Sequence, residues 1–311
     1  MTHQQQGDTM SSSEPEFNDA REYSSLEEVM NTLLTAKGKS FRELDQTGRA
    51  LTGGNKGSLG QIIEESVLKY AINSDAAPDI HIGDTSYELK VTPLKHIKKG
   101  KQTSAKERLV IDIINYLTLT DETDFESSKM WDKAKNIILV YYYDDRTDKK
   151  KELRIDCKVL ASYLMKYEAD DLATIKNDWH VIRDKVASGH ADSLSESDTN
   201  YLAACTKGAN SKQLREAPAP AGANTATIFA KQRAFSLKTS YMTAIARKLL
   251  NRKSETVRLP IPQEQNLDEY VAAKFIPYTG KSSRDIASEL QVSAAPTAKN
   301  YNSSLAFAML G

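Results

Sequence analysis

The run Asn136–Tyr143 (NIILVYYY) constrains the fold more strongly than any other stretch of this sequence. Nearly every side chain in it is β-branched, aliphatic or aromatic, and such residues fit the pleated surface of a sheet. The run therefore predicts the strongest β-strand of the chain. Tyr141, Tyr142 and Tyr143 lie at its end, where we expect core and rim positions rather than a base-stacking surface.

The rest of the chain alternates between helical and extended patterns, which predicts an α/β fold. The patterns predict helices at 25–36, 59–73, 169–187 and 239–250, strands at 80–82, 87–92 and 151–158, and a loop at 217–223. Residues 107–119 are apolar enough for a helix or a strand, and we favour a helix. A turn at Gly83–Asp84 joins the first two strands. We expect His81 to be packed in its strand, and Trp131 and Trp179 to be packing residues.

Length and composition exclude several classes of protein. The 311 residues are 40% hydrophobic, which suffices for a sizeable core in one large or two ordinary domains. No run approaches the ~18–20 apolar residues that span a bilayer, and Met1–Ser13 is polar, so we expect a cytoplasmic protein. Cys157 and Cys205 are isolated from each other and from any histidine cluster, which excludes a disulfide framework or a cysteine-based zinc site.

Charge is unevenly distributed, although 42 basic and 42 acidic residues give a net charge of zero. Residues 90–108 carry seven bases and one acid, and residues 207–258 carry eleven bases and two acids. Two such segments predict a surface that binds a polyanion. The alternative is a pair of solvated lysine-rich faces without a ligand.

The segment from Asp79 to Lys90 (DIHIGDTSYELK) carries the pattern with chemical potential. Side chains alternate along a strand, so Glu88 and Lys90 project from one face while Leu89 enters the core on the other. The turn can bring Asp79 to the same edge, and Glu64 on the preceding helix is a further candidate carboxylate. Carboxylate oxygens bind Mg²⁺, which polarises a phosphate and acidifies a bound water. The pattern alone is common by chance, and an ordinary solvated strand edge is the alternative.

Four short motifs follow one another along the chain. They are K-G-x-x-G-Q-x-x-E at 56–64, Asp79 followed by E-L-K-V-T-P at 88–93, K-G-A-N-S-K at 207–212 and R-A-F-S-L-K-x-x-Y-M-x-A at 233–244. In this order they resemble the family of the MutH mismatch-repair endonuclease and the related type II restriction endonucleases that cut at GATC. The resemblance covers roughly residues 25–255, and the ordered set is more specific than any one motif.

The resemblance implies a restriction-endonuclease-like core, a mixed β-sheet flanked by helices, that cuts DNA with Mg²⁺. It implies metal ligands at Glu64, Asp79 and Glu88. It also implies that these three residues and Lys90 are the catalytic residues. The family also uses a later lysine just before its next strand. Lys133 and Lys135 both fit that position, and the sequence leaves the choice open.

Base reading requires side chains in a groove of the DNA, whereas most basic residues neutralise phosphates. The candidates for DNA contact are Lys56, Lys207, Asn210, Arg233, Ser236 and Lys238, each alternatively a phosphate contact. Cys205–Thr206 and Ser236 stand where the mismatch-repair enzyme has Arg-Pro and tyrosine, and the Asp79–Glu88 spacing is two residues longer. The substitutions concern recognition of DNA rather than cleavage.

Composition divides the chain into three parts. Residues 1–20 are expected to be a disordered tail, 21–258 the endonuclease domain, and 259–311 a small helical C-terminal extension. The chain ends on the apolar run Leu305–Leu310, as if cut from something longer. We therefore expect residues 259–311 to link the domain to a missing second lobe.

The sequence predicts a Mg²⁺-dependent type II restriction endonuclease that hydrolyses double-stranded DNA at GATC. It would act as a monomer or weak dimer on DNA, and a cognate DNA methyltransferase acting on the same site is an expected partner. The alternatives are a strand-nicking mismatch-repair endonuclease and a non-catalytic DNA-binding lobe. Asp79, Glu88 and Lys90 argue against the binding lobe, which has no need of a repulsive carboxylate pair beside a polyanion.

Overall fold

A computed structural model gives the fold of the chain. It describes residues 22–48, 57–70, 80–97, 99–100, 102–148, 152–208, 213–251, 274–292 and 301–310. The predicted tail at 1–20 lies outside these residues, and so do three predicted site residues, Lys56, Asp79 and Asn210. No helix in the described part of the chain is long and apolar enough to cross a membrane.

The longest α-helix in the described part of the chain has 19 residues, Ala169–Ala187. The α-helices are α1 (Leu26–Leu34), α2 (Phe41–Leu44), α3 (Ser58–Ile62), α4 (Tyr116–Leu119), α5 (Lys129–Ala134), α6 (Ala169–Ala187), α7 (Thr239–Leu249), α8 (Ser283–Glu289) and α9 (Tyr301–Leu310). The helices predicted at 25–36, 169–187 and 239–250 are confirmed as α1, α6 and α7. Ser25 caps α1 by accepting a hydrogen bond from the Glu28 N–H.

The strands form a mixed sheet, a smaller antiparallel sheet and a two-stranded ribbon. They are β1 (Ile80–Ile82), β2 (Thr85–Ile97), β3 (Gln102–Ala105), β4 (Leu109–Ile113), β5 (Ile137–Tyr143), β6 (Val159–Leu164), β7 (Leu202–Thr206), β8 (Leu214–Pro218), β9 (Thr227–Lys231) and β10 (Arg233–Leu237). The mixed sheet has the order β1-β2-β5-β6, with β3 also pairing with β2. The smaller sheet has the order β4-β10-β7, and β8 pairs with β9.

The pairing of β2 with β5 makes the large sheet mixed, as predicted. The two strands run parallel, from Glu88 opposite Ile137 to Leu94 opposite Tyr143, whereas the other strand pairs are antiparallel. The predicted strand Asn136–Tyr143 is confirmed as β5, and all of its residues except Tyr143 are buried. Burial on both faces explains its nearly continuous run of apolar side chains.

Two hydrophobic clusters cover the two faces of β5. Ile137, Leu139 and Tyr141 pack in the cluster that includes residues of α6 and α7. The alternate residues Ile138 and Val140 pack, with Tyr142, in the cluster that includes residues of α1 and α3. Helices on both faces of a mixed sheet are the architecture that the α/β prediction required.

Three side chains test the packing predictions made for isolated aromatic residues. Trp179 is fully buried and Trp131 packs at the edge of the same cluster, so both are confirmed as packing residues. The prediction for His81 was wrong, because its side chain is exposed. His81 alternates with the buried Ile80 along β1, and its Nδ1 lies 3.0 Å from the Ser86 Oγ on the neighbouring strand.

The helix expected at 107–119 is instead a strand followed by one helical turn. In β4, Leu109 and Ile111 are buried while Val110 and Asp112 are partly exposed, which is the two-residue period of a strand. The Asn115 side chain then accepts hydrogen bonds from two backbone N–H groups and starts α4. The continuous apolar run concealed this change of period.

The strand expected at 151–158 lies further along the chain, as β6. Residues Arg154–Asp156 form a 3₁₀ turn instead. The Asp156 carboxylate accepts a hydrogen bond from the Arg42 Nε at 2.7 Å, and the Cys157 carbonyl accepts one from the Phe41 N–H at 3.1 Å. These contacts hold the segment against α2 rather than in a sheet.

Two further boundaries differ from the prediction. The predicted loop at 217–223 is wrong at its start, because Ala217 and Pro218 are the last two residues of β8. Pro218 is tolerated there because β8 is an edge strand of a two-stranded ribbon. The helix predicted at 59–73 is α3 followed by a π-helical turn, Ile63–Val67, and residues 71–73 lie outside the described part.

A separate small cluster is formed near the C-terminus of the chain. Ile286 of α8 is buried with Leu305 and Met309 of α9. The helical character predicted for residues 259–311 is therefore found in α8 and α9, while residues 252–273 and 293–300 lie outside the described part of the chain.

Candidate functional site

Glu88 and Lys90 lie side by side at the start of the parallel pairing between β2 and β5. The Lys90 Nζ is 2.5 Å from the Glu88 Oε1. Leu89, between them, is buried on the opposite face with the cluster of α1 and α3. The alternation predicted from the sequence is thus found, with the Glu88 side chain 12% exposed and that of Lys90 25% exposed.

The backbone around Glu88 is held on both sides. Its N–H donates to the Asn136 carbonyl at 2.9 Å, and the Asn136 Nδ2 donates to the Ser86 carbonyl at 3.1 Å. On the other side, a two-residue turn at Gly83–Asp84 connects Ile82 to its partner Thr85, with Gly83 at a φ of 56°. This confirms the predicted turn and fixes the register of β1 on β2.

Glu64 lies in the π-helical turn that continues α3. The Leu68 N–H donates to the Ile63 carbonyl at 2.9 Å, and the Tyr70 N–H donates to the Glu64 carbonyl at 2.9 Å. A β-carbon on Gly60 would lie 3.6 Å from the Glu64 Oε1, so the carboxylate folds back over that glycine. Single π turns occur frequently at functional sites, because the extra residue redirects a side chain.

The donor chemistry of this region fits a hard divalent cation. Glu64 and Glu88 offer carboxylate oxygens, the ligand type that Mg²⁺ prefers. Among the described residues, no three His, Cys, Asp or Glu side chains come together as a group able to hold a metal ion. Asp79, the third predicted ligand, immediately precedes Ile80 of β1 and lies outside the described residues.

The two candidates for the additional lysine have different surroundings. The Lys133 Nζ donates to the Asp112 carboxylate of β4 at 3.2 Å and is largely buried. The Lys135 Nζ pairs with the more exposed Asp132 at 2.6 Å. Lys135 also directly precedes Asn136, whose carbonyl accepts the Glu88 N–H. Its backbone is therefore the nearer of the two to Glu88 along the strand pairing.

The predicted DNA-contact residues divide by exposure. Lys207 is exposed, and its N–H donates to the Gln232 carbonyl at 3.0 Å. Arg233 is partly buried and donates from Nη1 to the Ala204 carbonyl at 2.9 Å. Ser236 is only 1% exposed, so its side chain packs inside the small sheet. Lys56 and Asn210 lie outside the described residues.

Lys238 is held at the N-terminus of α7 with a reduced affinity for its proton. Its Nζ donates to the Thr199 carbonyl. Burial lowers the pKa of Lys238, while the neighbouring carboxylates of Asp178, Glu196 and Asp198 oppose that shift. The hydrogen bond to the Thr199 carbonyl therefore holds the Lys238 side chain against the fold.

Several bases of the two basic segments serve the fold rather than a polyanion surface. Lys106 pairs with the buried Asp144 at 3.0 Å, and Arg108 pairs with Glu196. The buried Arg247 donates from Nε to the Thr103 carbonyl at 2.7 Å. The predicted polyanion surface is therefore smaller than the count of bases indicates.

The sequence analysis missed the ribbon of β8 and β9, which lies between the third and fourth motifs. Residues Thr227–Lys231 (TIFAK) alternate between outward and inward positions, with Phe229 exposed and Ala230 buried. The signal available in the sequence was the run of β-branched and aromatic residues Thr227, Ile228 and Phe229 after the Pro/Ala/Gly segment.

A mixed sheet with helices on both faces, and a Glu-x-Lys pair where its parallel strands begin to pair, is the arrangement expected of the restriction-endonuclease-like fold. The protein-family model described as "DNA mismatch repair enzyme MutH" matches residues 68–178, a range that contains Asp79, Glu88, Lys90 and both later lysines.

Similar proteins carry two kinds of name. The type II restriction enzyme Sau3AI of Staphylococcus aureus is 36% identical over 283 residues, which is 90% of this chain. The DNA mismatch repair protein MutH of Shewanella woodyi is 26% identical over 225 residues, covering 71% of this chain and 90% of that protein. The MutH of Shewanella sp. (strain MR-7) is 27% identical over 197 residues, covering 63% of this chain and 80% of that protein. The chain therefore contains a segment that matches the MutH family model and is similar over most of its length to Sau3AI, of which it spans 55%.

Proposed function

We propose that this protein is a Mg²⁺-dependent type II restriction endonuclease that hydrolyses double-stranded DNA at GATC. The observation that carries the proposal is the Glu88–Lys90 pair, 2.5 Å apart at the start of the parallel strands. The identity to a protein named as a type II restriction enzyme, over 90% of this chain, supports it.

The residues have distinct roles in this proposal. Glu64, Asp79 and Glu88 would hold the Mg²⁺ ion through carboxylate oxygens. The bound ion would supply a polarised phosphate and a more acidic water. Lys90 places a positive charge beside the reacting phosphate, and its contact with Glu88 fixes the position of that charge. A charge positioned in advance stabilises the negative charge that develops during hydrolysis.

A second candidate is strand-nicking endonuclease activity in mismatch repair. It is favoured by the match to MutH of Shewanella woodyi, of which this chain spans 90%. The two candidates share one chemistry at Glu88 and Lys90 and differ in whether one or both strands are cut. They are therefore separated by the product and not by the active site.

Plasmid cleavage tests the proposal directly. Unmethylated and GATC-methylated plasmid are incubated with the unmutated chain and Mg²⁺, beside Lys90→Ala and Glu88→Ala. Lys37→Ala, which removes an exposed lysine after α1, is the matched control. We expect linear fragments with ends at GATC from the unmutated and control proteins, and at least about 100-fold less product from the other two variants.

Each alternative outcome has a defined meaning. DNA binding without cleavage by the unmutated chain would reject an enzyme and favour a DNA-binding lobe. Nicks confined to one strand would favour the mismatch-repair activity. Fragment ends at other sequences would remove GATC specificity and leave the proposed hydrolysis intact.

A further inference from the structure

The ribbon of β8 and β9 is firmly attached to the body of the protein by its inner face. Ala217 and Ala230 on that face are buried in the main hydrophobic cluster. The Tyr116 hydroxyl donates to the Lys231 carbonyl at 2.5 Å, and burial raises the pKa of this tyrosine to about 12. The ribbon is therefore held from beneath by both packing and a hydrogen bond.

The turn and the open end of the ribbon are also fixed. A β-carbon on Gly189, just after α6, would lie 2.2 Å from the backbone nitrogen of Pro220 in the turn, so the two backbones are in close contact. At the other end, the Gln232 N–H donates to the Gln213 carbonyl at 3.0 Å. Contacts at both ends and beneath make the ribbon a rigid platform.

The outer face of this platform carries two large apolar side chains. Cross-strand partners share a face, and the register places Leu214 opposite Lys231 and Glu216 opposite Phe229. Phe229 is 70% exposed and Leu214 52% exposed. Phe229 has the largest exposed fraction of the big hydrophobic side chains in the described part of the chain. An exposed phenylalanine on a rigid surface is available to a partner at little entropic cost.

The surroundings of this face are basic. Residues 213–233 contain three bases (Arg215, Lys231 and Arg233) against one acid, Glu216. The Glu216 Oε1 accepts a hydrogen bond from the Thr227 hydroxyl at 2.7 Å, within the ribbon. Arg215 lies on the inner face opposite Ala230, so the positive charge available to a polyanion is that of Lys231 and of Lys207 and Arg233 beside the open end of the ribbon.

The ribbon is also continuous with two predicted DNA-contact residues. Lys207 is exposed next to its open end, because the Lys207 N–H donates to the Gln232 carbonyl. Arg233 follows β9 after one residue and begins β10. A ligand that contacts Lys207 and Arg233 would therefore also lie next to the ribbon.

We propose that the β8–β9 ribbon enters the major groove of the substrate DNA and that Phe229 packs against the 5-methyl group of a thymine. A two-stranded ribbon fits the width of the major groove, and the thymine methyl is the apolar group displayed there. Lys207 and Lys231, at the open end of the ribbon, then neutralise phosphates. The inference rests on the proposed function, because it takes double-stranded DNA as the ligand.

The test compares thymine with uracil, which lacks only the 5-methyl group. Binding of fluorescent duplexes with one GATC site is measured by anisotropy without divalent cations, so that cleavage does not contribute. Duplexes carry uracil at each thymine of the site and its flanks in turn. For the unmutated chain, we expect one of these replacements to weaken binding about fourfold, the effect of losing one buried methyl group.

The variant Phe229→Ala should weaken binding to the thymine duplex at least as much and should make it insensitive to that same uracil. Phe229→Leu, which keeps an apolar group, should restore part of the discrimination. Leu34→Ala is the matched control, since Leu34 is a similarly exposed apolar residue on α1. The exposure of Phe229 means that its truncation leaves the core intact.

The outcomes separate the two proposals. Tight binding with equal affinity for thymine and uracil duplexes, or a Phe229→Ala loss that persists equally on uracil, would overturn the ribbon proposal alone. Self-association abolished by Phe229→Ala, with DNA binding unchanged, would also overturn it and assign the face to a second copy. No binding of any duplex by the unmutated chain would overturn the proposed function and the ribbon proposal with it.

Discussion

A carboxylate–lysine pair lies near each of the two ends of the parallel pairing between β2 and β5, and the two pairs are built differently. At one end, Lys90 lies 2.5 Å from Glu88, and their side chains are 25% and 12% exposed. At the other, Lys106 lies 3.0 Å from Asp144, which is only 1% exposed. The Asp144 N–H donates to the Leu94 carbonyl, so this second pair lies where the parallel pairing ends.

The carboxylate of Asp144 is saturated by cations from the protein. Arg146 donates to both of its oxygens, at 2.7 and 3.1 Å, and Lys106 and Arg154 lie at 3.0 and 3.9 Å. Burial by itself would raise the pKa of Asp144, but the contacts with Arg146 and Lys106 outweigh it and hold the pKa well below its usual range. A carboxylate so surrounded serves the fold and has no oxygen left for a further cation.

Glu88 has fewer cationic partners than Asp144 among the described residues. Its ion-pair partner in the described part of the chain is Lys90, two residues away on the same strand. Lys90 is 25% exposed, so water screens this pair more than the pair of Asp144, and its contribution to stability is the smaller of the two. On one pair of strands, charge is therefore concentrated around Asp144, whereas Glu88 has one cationic partner among the described residues and, on the proposed function, serves the reaction.

The largest effect is expected from Glu88→Gln, which keeps the shape of the side chain and removes its charge. On the proposed function, plasmid cleavage should fall at least about 100-fold. The free energy of unfolding in urea should change by less than about 1 kcal/mol, because the pair is small in energy. A loss of several kcal/mol of unfolding free energy in Glu88→Gln would instead show that Glu88 stabilises the fold, as Asp144 does.

The replacement Asp144→Asn should show the reverse pattern. It leaves Lys106 and Arg146 without their charged partner, and breaking such a buried pair costs about 3 kcal/mol. Urea unfolding at pH 7 measures the loss. Cleavage per folded molecule, measured well below the urea midpoint, should stay close to that of the unmutated chain. A large fall in cleavage without a loss of stability would contradict the structural role.

The stability contributed by Asp144 should depend on pH in one direction. Its pKa is lowered in the folded state, whereas the unfolded value is about 3.9. Below that value the unfolded state binds a proton that the folded state does not, so falling pH favours unfolding. The contribution is complete at pH 7, begins to disappear as the pH falls toward 4, and is lost once the pH falls through the folded pKa.

The measurement follows from that sign. The difference in free energy of unfolding between the unmutated chain and Asp144→Asn should be constant between pH 7 and about pH 5 and should shrink from about pH 4 downward. A difference that grew as the pH fell would show that burial dominates the pKa of Asp144 instead.

The Glu88–Lys90 pair was predictable because it depends on one local rule, the alternation of side chains along a strand. The same holds for β5 and α6, whose patterns are long and unambiguous. The strand within residues 107–119 was not predictable, because it has only five residues. Its two-residue period becomes visible only when the buried and the exposed faces of the strand are known. The π turn at Glu64 was not predictable either. It is held by distant contacts, such as the Tyr23 hydroxyl donating to the Leu68 carbonyl.

Charge partners were equally hidden from the sequence. Lys106 is bound by Asp144, 38 residues away, and Arg108 by Glu196, 88 residues away. Both bases belong to a segment whose composition predicts DNA contact. No local pattern distinguishes a lysine that meets a phosphate from one that meets a carboxylate across the fold, so composition overestimates the DNA-binding surface.

The smallest effects are expected from the two candidates for the additional lysine, Lys133 and Lys135. Lys133 is bound by Asp112 of β4, and both side chains are largely buried, so Lys133→Ala should cost about 1 kcal/mol of stability, between the values for exposed and buried pairs. Lys135 pairs with an exposed carboxylate and lies next to the residue that binds the Glu88 backbone. Lys135→Ala should therefore change stability by less than about 0.5 kcal/mol and lower plasmid cleavage at saturating Mg²⁺. Equal cleavage by Lys135→Ala and the unmutated chain, with a loss in Lys133→Ala that exceeds its unfolded fraction, would reverse the assignment. In that case the proposed catalytic site would extend toward β4, which carries the Asp112 partner of Lys133.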